Sequence, residues 1–254
     1  MGLFHPHGDH DHHAHDHDHD HDDVDRDVGD HGGYETGSER VTILKNILGE
    51  NDRIAASNRS DFTANGIRTV NLMSSPGAGK TTLLAKTLPA LTGRARVGVL
   101  EGDIATSIDA DQLSGLGAAV ALVNTDDGFG GECHLDAVMV RSGLDQLSLS
   151  DLDVLIIENV GNLVCPAEFD VGQDARAMVY AITEGEEKPL KYPVMFRAVE
   201  AIVINKMDLL PHLDFDMELF RSNLAKINPT ALTFEVSAKT GEGLDAWIDW
   251  LAER

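Results

Sequence analysis

The stretch "SSPGAGKTT" at residues 74–82 constrains the fold of this chain more than any other part of the sequence. It follows the apolar run "IRTVNLM" at 67–73 and leads into residues 80–92, whose apolar side chains recur at helical spacing. A glycine-rich turn between a buried strand and a helix lets backbone N–H groups surround phosphate oxygens. The sequence therefore predicts a phosphate-binding loop on a strand–loop–helix unit.

Individual residues of this loop have expected roles. Lys80 is expected to contact the β- and γ-phosphate oxygens, and the Thr81 hydroxyl is expected to hold magnesium. Ser74 stands where the GxxxxGK[ST] pattern has its first glycine, but Gly77 and Gly79 keep the turn flexible. The residues predicted to bind the phosphates are Gly77, Ala78, Gly79, Lys80, Thr81 and Thr82.

Beyond the loop, the chain continues to alternate apolar strands with helices. Further strands are predicted at 95–100, 118–123, 153–159, 200–208 and 232–238, and further helices at 135–147, 214–227 and 243–252. This alternation is typical of a parallel sheet covered by helices on both faces. We therefore predict an α/β P-loop NTPase domain with a mostly parallel sheet over residues 66–254. A helical lead-in is predicted over 34–65, where Val41, Leu44, Ile47 and Leu48 have helical spacing.

A histidine- and aspartate-rich segment precedes the lead-in. Ten of the twelve histidines lie between His5 and His31, interleaved with ten aspartates. A segment this polar cannot bury enough surface to offset its ordering entropy, so we predict a disordered tail over residues 1–33. Imidazole binds nickel, copper and zinc, which indicates metal binding; the alternative is a cloning leader or a solubilising arm. The predicted tail ligands are His5, His7, His10, His12, His13, His15, His17, His19, His21 and His31.

Composition excludes several classes of protein. The formal net charge is −23, of which residues 1–31 contribute −9 (ten aspartates against Arg26), which leaves −14 for the remainder. Because nucleic-acid binding needs a basic surface, this charge argues against it. No apolar run approaches the roughly 18 to 20 residues of a membrane span. With two cysteines and no export signal, a cytoplasmic location is expected.

Two further motifs indicate which base is bound. Asp208 of "NKMD" (205–208) can accept hydrogen bonds from N1–H and the 2-amino group of guanine, which adenine lacks. Asn205 can reach the purine edge, and the Lys206 stem can pack on the ring. A backbone amide of "SAK", at the end of the last predicted strand, could bind guanine O6; its residues are Ser237, Ala238 and Lys239. In this order, the three motifs resemble the signature set of GTPases.

A switch segment is expected after the strand at 153–159. Gly161 of "ENVG" could offer its N–H to the γ-phosphate, and Glu158 stands where an aspartate is usual. Glu158 and Asp103 are magnesium candidates together with Thr81, although Asp103 could instead cap the next helix. No arginine finger can be assigned within the chain, so slow intrinsic turnover is expected. The residues predicted to act in hydrolysis are Lys80, Thr81, Glu158 and Gly161.

Both cysteines belong to candidate metal-binding loops. Cys133 is next to His134, and Cys165 follows the switch glycine by four residues. A lone cysteine is more often a core residue, and that alternative applies to each of them. A Cys–His–Cys set nevertheless suits zinc or nickel, with a water or a second chain to complete the site.

The motif set is similar to that of the HypB family of nickel-insertion GTPases in hydrogenase maturation, from about residue 38 onward. The matching segments are "NLMSSPGAGKTTLL", "EGDIATSIDADQL", "CHLDA", "ENVGNLVCPAEFD" and "INKMDLLP". The resemblance implies a SIMIBI-class GTPase that binds GTP and GDP and forms a nucleotide- and metal-dependent homodimer. It also implies a metal site of Cys133, His134 and Cys165 at the dimer interface. The implied partners are a HypA-like nickel chaperone and the large subunit of [NiFe] hydrogenase.

One departure and two alternatives qualify this resemblance. The CxxCGC nickel motif of some relatives is absent here, since the first cysteine is Cys133, so the tail is interpreted as a weaker, higher-capacity nickel store. A urease accessory GTPase of the UreG type is the nearest alternative, but its Cys-Pro-His motif is not matched because Ala167 follows Pro166. The other alternative is a nickel-storage protein with a vestigial nucleotide fold, which GTP turnover would exclude.

Overall fold

A parallel β-sheet organises residues Thr42–Arg254, which form one compact unit. The computed structural model describes residues 36–103, 112–113, 115–124 and 134–253, without the side chains of 36–47, Asp103 and Asn124. The predicted tail at 1–33 lies outside the described residues, so its disorder stays a prediction, as does the division of the chain at residues 33 and 65.

Within the described residues, seven strands form a single sheet with the order β3-β2-β4-β1-β5-β6-β7, and every neighbouring pair is parallel. The strands are β1 (Arg68–Ser74), β2 (Val97–Asp103), β3 (Ala119–Asn124), β4 (Val154–Gly161), β5 (Ala175–Ala181), β6 (Ala201–Asn205) and β7 (Leu232–Glu235). The helices are α1 (Thr36–Asn65), α2 (Lys80–Leu91), α3 (Ala137–Leu144), α4 (Lys188–Lys191), α5 (Pro193–Arg197), α6 (Met217–Ile227) and α7 (Leu244–Ala252). Short 3-10 helices lie at Leu149–Asp151, Cys165–Ala167, Ile182–Glu184 and Met207–His212.

Both faces of the sheet are buried, because successive strand residues point to opposite sides. On one face, Val70 and Ile156 pack in a cluster with Trp247 of α7 and with apolar residues of α2. On the other face, Leu155 and Ile157 pack with residues of α1 and α3, and a neighbouring cluster joins the sheet to α5 and α6. The predicted α/β fold, with helices on both faces of a parallel sheet, is confirmed. Among the described helices, none is both long and apolar enough to cross a bilayer.

The sequence prediction missed β5 and extended two strands too far. In β5, three of the seven residues are alanine, which offers little apolar surface and has low strand propensity, so pairing with β1 and β6 determines the strand. The strand predicted at 200–208 ends at Asn205, because Lys206 adopts a left-handed φ of 65°. The strand predicted at 232–238 ends at Glu235, so "SAK" lies in the loop that follows.

The lead-in is one helix, α1, and its buried face carries two asparagines. Asn51, Ala55, Asn58 and Phe62 recur at spacings of four and three and are all buried. The segment after Cys165 packs closely on this face at Gly172, where a Cβ atom would lie 2.7 Å from the carbonyl oxygen of Ala55. A helical lead-in was predicted here from the sequence, but this buried face of the helix was not.

An ion pair beside this contact adds to the attachment of α1. Arg59 donates to both carboxylate oxygens of Asp170 at 2.7 and 2.9 Å, and the Gly172 N–H donates to the same group at 2.8 Å. Partial burial opposes ionisation of Asp170, but these donors hold its pKa below the ordinary value.

Gly172→Ala is expected to destabilise the fold. Gly172 has a φ of +95°, so a side chain costs about 1–2 kcal/mol in backbone strain, and the contact with α1 adds about 1–3 kcal/mol. Gly66→Ala is the matched control, since Gly66 also has a positive φ (+66°), but a Cβ atom added there would meet nothing within 4 Å. Thermal unfolding should show a clearly larger drop in Tm for Gly172→Ala; equal drops would contradict the tight contact.

Candidate functional site

The phosphate-binding loop lies at the carboxyl edge of the sheet, between β1 and α2, where ligands of open α/β sheets bind. Gly77 and Gly79 have φ values of 71° and 95°, which allow the loop to curl before α2 begins at Lys80. A Cβ atom on Gly79 would lie 2.7 Å from the Asn205 Nδ2 atom, so the position requires glycine. The amino terminus of α2 therefore faces the space enclosed by the loop, where a phosphate anion would bind.

The end of β4 lies directly against this loop. Ser74 and Gly161 are register partners on β1 and β4, and a Cβ on Gly161 would lie 3.6 Å from Lys80 Nζ. The Lys80 ammonium donates a hydrogen bond to Ser74 Oγ at 2.8 Å. Ser74, which replaces the first glycine of the usual pattern, thus positions the lysine, a role that the sequence analysis did not predict.

Buried carboxylates face the start of α2. The Thr81 hydroxyl donates to Glu158 Oε1 at 2.9 Å, and Glu158 is only 3 % exposed. Glu101, which the sequence analysis did not single out, is 2 % exposed and is the register partner of Glu158 on β2. Hydroxyl and carboxylate oxygens are the ligands that magnesium prefers, so this donor set fits magnesium. The third predicted magnesium ligand is Asp103, and its side chain is not among the parts of the chain that the structure describes.

A cavity of about 290 Å³ opens beside the loop and has the composition expected of a base pocket. It is lined by Gly79, Thr82, Asn205, Lys206, Asp208, Leu209, Ala238 and Lys239. Seven of these eight residues belong to the three predicted nucleotide-binding motifs, and Leu209 directly follows "NKMD". Within the pocket, Asp208 Oδ1 accepts a hydrogen bond from Ser237 Oγ at 2.7 Å, which orients the carboxylate.

Asn205 joins the three motifs. Its Nδ2 donates to the Ala78 carbonyl of the phosphate loop at 2.9 Å, and its Oδ1 accepts the Ala238 N–H at 3.0 Å. Lys206, which lines the cavity, donates from Nζ to the Gly77 carbonyl of the phosphate loop at 2.7 Å. Contacts within the protein therefore hold the three motifs together.

Of the predicted Cys–His–Cys metal set, the structure describes His134 and Cys165. His134 is half-buried, and its ring centroid lies 4.0 Å from that of Phe169, four residues after Cys165. Cys165 is also half-buried and begins the 3-10 helix Cys165–Ala167. Cys133 and the tail histidines lie outside the described residues. Within the part of the chain that the structure describes, no group of three His, Cys, Asp or Glu side chains could hold a metal ion. The Cys–His–Cys set stays a prediction.

Helix α1 connects the segment after His134 to the segment after Cys165. Asn51 accepts the Ala137 N–H at 2.9 Å and donates to the Asp170 carbonyl at 2.8 Å. Asn58 Nδ2 contacts the carbonyls of Ala137 and Val171 at 3.0 and 3.1 Å. Neither asparagine was predicted from the sequence; their separation by seven residues, on one face of a helix, was the available signal.

Comparison by family model, by sequence and by structure relates this chain to the same group of nucleotide-binding proteins. Residues 68–235 match the family model "CobW/HypB/UreG, nucleotide-binding domain". The chain is 48% identical over 214 residues to the hydrogenase maturation factor HypB of Azotobacter chroococcum mcd 1, which covers 84% of this chain and 69% of that protein. The crystal structure of HypB from Archaeoglobus fulgidus is similar, with a TM-score of 0.73 and 37% identity over 80% of this chain and 98% of that one. HypB from Helicobacter pylori, solved in complex with nickel, has a TM-score of 0.74 and 35% identity over 80% and 93% of the two chains.

Proposed function

Because the chain belongs to the HypB family of hydrogenase maturation factors, we propose that it is a GTP-hydrolysing nickel metallochaperone that helps to insert nickel into [NiFe] hydrogenase. GTP binding is supported above all by the Asn205 side-chain amide, which joins the phosphate loop to both base-binding motifs. The nickel part is supported by the predicted Cys–His–Cys set and by the nickel complex of the Helicobacter pylori relative.

GTP would bind with its phosphates over the loop and its base in the cavity. Lys80 and the N–H groups at the start of α2 would contact the phosphates, and Asp208 would accept the two guanine donors. Thr81 and Glu158, with Asp103, would hold magnesium, which neutralises phosphate charge when it is bound. The donor set around Thr81 is built from oxygens, which supports this assignment.

Hydrolysis would depend on positioning by the end of β4. A Cβ atom on Gly161 would lie 3.6 Å from Lys80 Nζ. The Gly161 N–H would donate to the γ-phosphate, so that release of phosphate frees the segment that leads to Cys165. No arginine finger is assigned, and an arginine finger is worth about 10³–10⁵ in rate, so slow intrinsic turnover is proposed.

Nickel would be the cargo of the protein, not a resident cofactor. We propose that Cys133, His134 and Cys165 bind nickel or zinc at the interface of a homodimer that GTP stabilises, while the tail histidines store further nickel. A HypA-like chaperone and the hydrogenase large subunit are the proposed partners. The packing of His134 on Phe169 supports a shared site, because Phe169 belongs to the segment that carries Cys165.

The two alternatives are less well supported. Ala167 occupies the position where a UreG-type motif requires histidine, and the similar proteins described above are HypB proteins. A storage protein with a vestigial nucleotide fold would have no need of the Asn205 and Asp208 hydrogen bonds that assemble the base pocket.

Asp208→Asn is expected to weaken the preference for GTP over ATP by roughly 10- to 100-fold, since a hydrogen bond to a charged group contributes about 1.5–3 kcal/mol. The amide presents an N–H group to the guanine donors, whereas xanthine has a carbonyl at that position, so xanthosine triphosphate should bind the variant better than GTP. Nucleotide competition measures this. The exposed Asp214→Asn serves as the control, and an unchanged GTP preference in Asp208→Asn would show that the guanine assignment is wrong.

A further inference from the structure

The end of β4 presents two adjacent polar side chains to opposite faces of the sheet. Glu158 points to the face covered by α2, where it accepts the hydrogen bond from Thr81. Asn159 is the next residue, so it points to the other face, which α1 and α3 cover. A displacement of the β4 end on the nucleotide side must therefore also displace Asn159 on the far side.

Asn159 is buried and forms hydrogen bonds with three other residues. It is 1 % exposed, and its Oδ1 accepts the backbone N–H groups of Leu135 at 2.9 Å and Val160 at 3.0 Å. Its Nδ2 donates to Asn71 Oδ1 at 3.2 Å, on the strand that leads into the phosphate loop. Because Leu135 directly follows His134, a single side chain connects the strand ends at the nucleotide site to the backbone beside a predicted metal residue.

The Leu135 side chain strengthens this connection. It is completely buried, and it occupies the space left by Gly102 on β2, where a Cβ atom would lie 2.6 Å from Leu135 Cγ. Gly102 is the neighbour of Glu101, the second buried carboxylate. The backbone beside His134 is thus held by both strands that carry carboxylates toward Thr81.

We propose that Asn159 is a positioning residue that transmits the nucleotide state of the β4 end to His134, so that the affinity of the Cys133/His134/Cys165 site depends on whether GDP or GTP is bound. This inference rests on the proposed function. By linkage, the metal must then change the preference between the two nucleotides by the same factor, and such factors are typically about 5- to 150-fold.

The chain offers a matched control for this residue. Asn51 Oδ1 accepts the Ala137 N–H at 2.9 Å, which is the same type of bond to the same segment, two residues along, but it comes from α1. Substitution of either asparagine removes one hydrogen bond from the backbone of the segment that follows His134. Of the two substitutions, only that of Asn159 also removes the link from this segment to β1 and β4.

The experiment compares the full-length protein with Asn159→Ala and Asn51→Ala. Nickel is titrated with GDP or with a non-hydrolysable GTP analogue, and binding is followed by the nickel–thiolate charge-transfer absorbance. This absorbance reports on the proposed inner site alone, because the cysteines of the chain are Cys133 and Cys165 and the tail has none. The ratio of the two nickel affinities should fall by at least about 5-fold in Asn159→Ala, whereas Asn51→Ala should weaken both affinities and keep the ratio.

An unchanged ratio in Asn159→Ala, or equal nickel affinities in the two nucleotide states of the unmodified protein, would overturn the coupling. Failure of the unmodified protein to bind GTP, or to show any thiolate absorbance with nickel, would instead contradict the proposed function.

A second measurement needs no variant, in case Asn159→Ala does not fold. Amide hydrogen exchange of the unmodified protein should show protection at Leu135 that differs by at least about 5-fold between the GDP and GTP-analogue states, with Ala137 unchanged. Equal protection of Leu135 in the two states would contradict the role of Asn159.

Discussion

Lys80→Ala is expected to reduce GTP turnover by about 100- to 1,000-fold or more, with little change in thermal stability. The ammonium lies at the mouth of the loop, within 2.8 Å of Ser74 Oγ and beside Gly161, where phosphate charge would collect. Removal of one preorganised donor from such a site typically costs about 10²–10³ in rate. Ser74 retains its hydrogen bond to the Ser75 carbonyl at 2.6 Å, so the loop keeps an internal contact.

Lys86→Ala is the matched control for this prediction. Lys86 lies on the same helix, α2, but is exposed, so the substitution changes the net charge equally without touching the loop. Phosphate release and thermal melting should be measured on both variants. Turnover in Lys80→Ala similar to that in Lys86→Ala would show that hydrolysis, if present, does not use this loop.

Deletion of residues 1–33 is expected to remove most of the bound nickel while GTP turnover stays nearly unchanged. Ten of the twelve histidines lie in that segment, whereas the phosphate loop starts at residue 74. The count of nickel ions per chain, by equilibrium dialysis with metal analysis, tests the storage role.

A variant with all ten tail histidines replaced by glutamine separates the contribution of imidazole from that of charge and length. It keeps the ten aspartates, so aspartate-bound or non-specific nickel would remain. The storage proposal predicts that this variant loses as much nickel as the deletion does. An equal nickel count in the unmodified protein and the deletion would contradict it.

Local motifs could be predicted from the sequence, because each depends on a few consecutive residues. The phosphate loop and "NKMD" occur at the expected strand ends, and the alternation of strands and helices predicts the parallel sheet correctly. The strand β5 was not predicted, because its alanines have a low intrinsic preference for strands. Its pairing with β1 and β6 determines it instead.

Contacts between distant segments could not be predicted in the same way. Glu101 is notable only because β2 pairs with β4 and brings it beside Glu158. Asn159 lies inside the quoted motif "ENVG", but its contact with Leu135 follows from the fold of the loop on the far face of the sheet. Likewise, Asn51 resembles an ordinary exposed helix residue until its two partners are known.

The central claim is that the bound nucleotide controls a metal site that includes Cys165. Cys165 follows Gly161 by only four residues, and it begins the 3-10 helix Cys165–Ala167. Ordering of Gly161 by the γ-phosphate should therefore position the thiolate. The competing interpretation, a packed core cysteine, predicts that Cys165→Ala lowers the Tm without any change in metal affinity.

The most direct test is a nickel titration of the unmodified protein and of Cys165→Ala, each with GDP and with a non-hydrolysable GTP analogue, repeated with zinc as competitor. We expect the unmodified protein to show thiolate absorbance with an affinity that differs between the nucleotide states by about 5-fold or more. In Cys165→Ala, we expect weaker binding and a smaller difference between the states. Nickel and zinc affinities that are the same in the unmodified protein and in Cys165→Ala, in both nucleotide states, would contradict the claim.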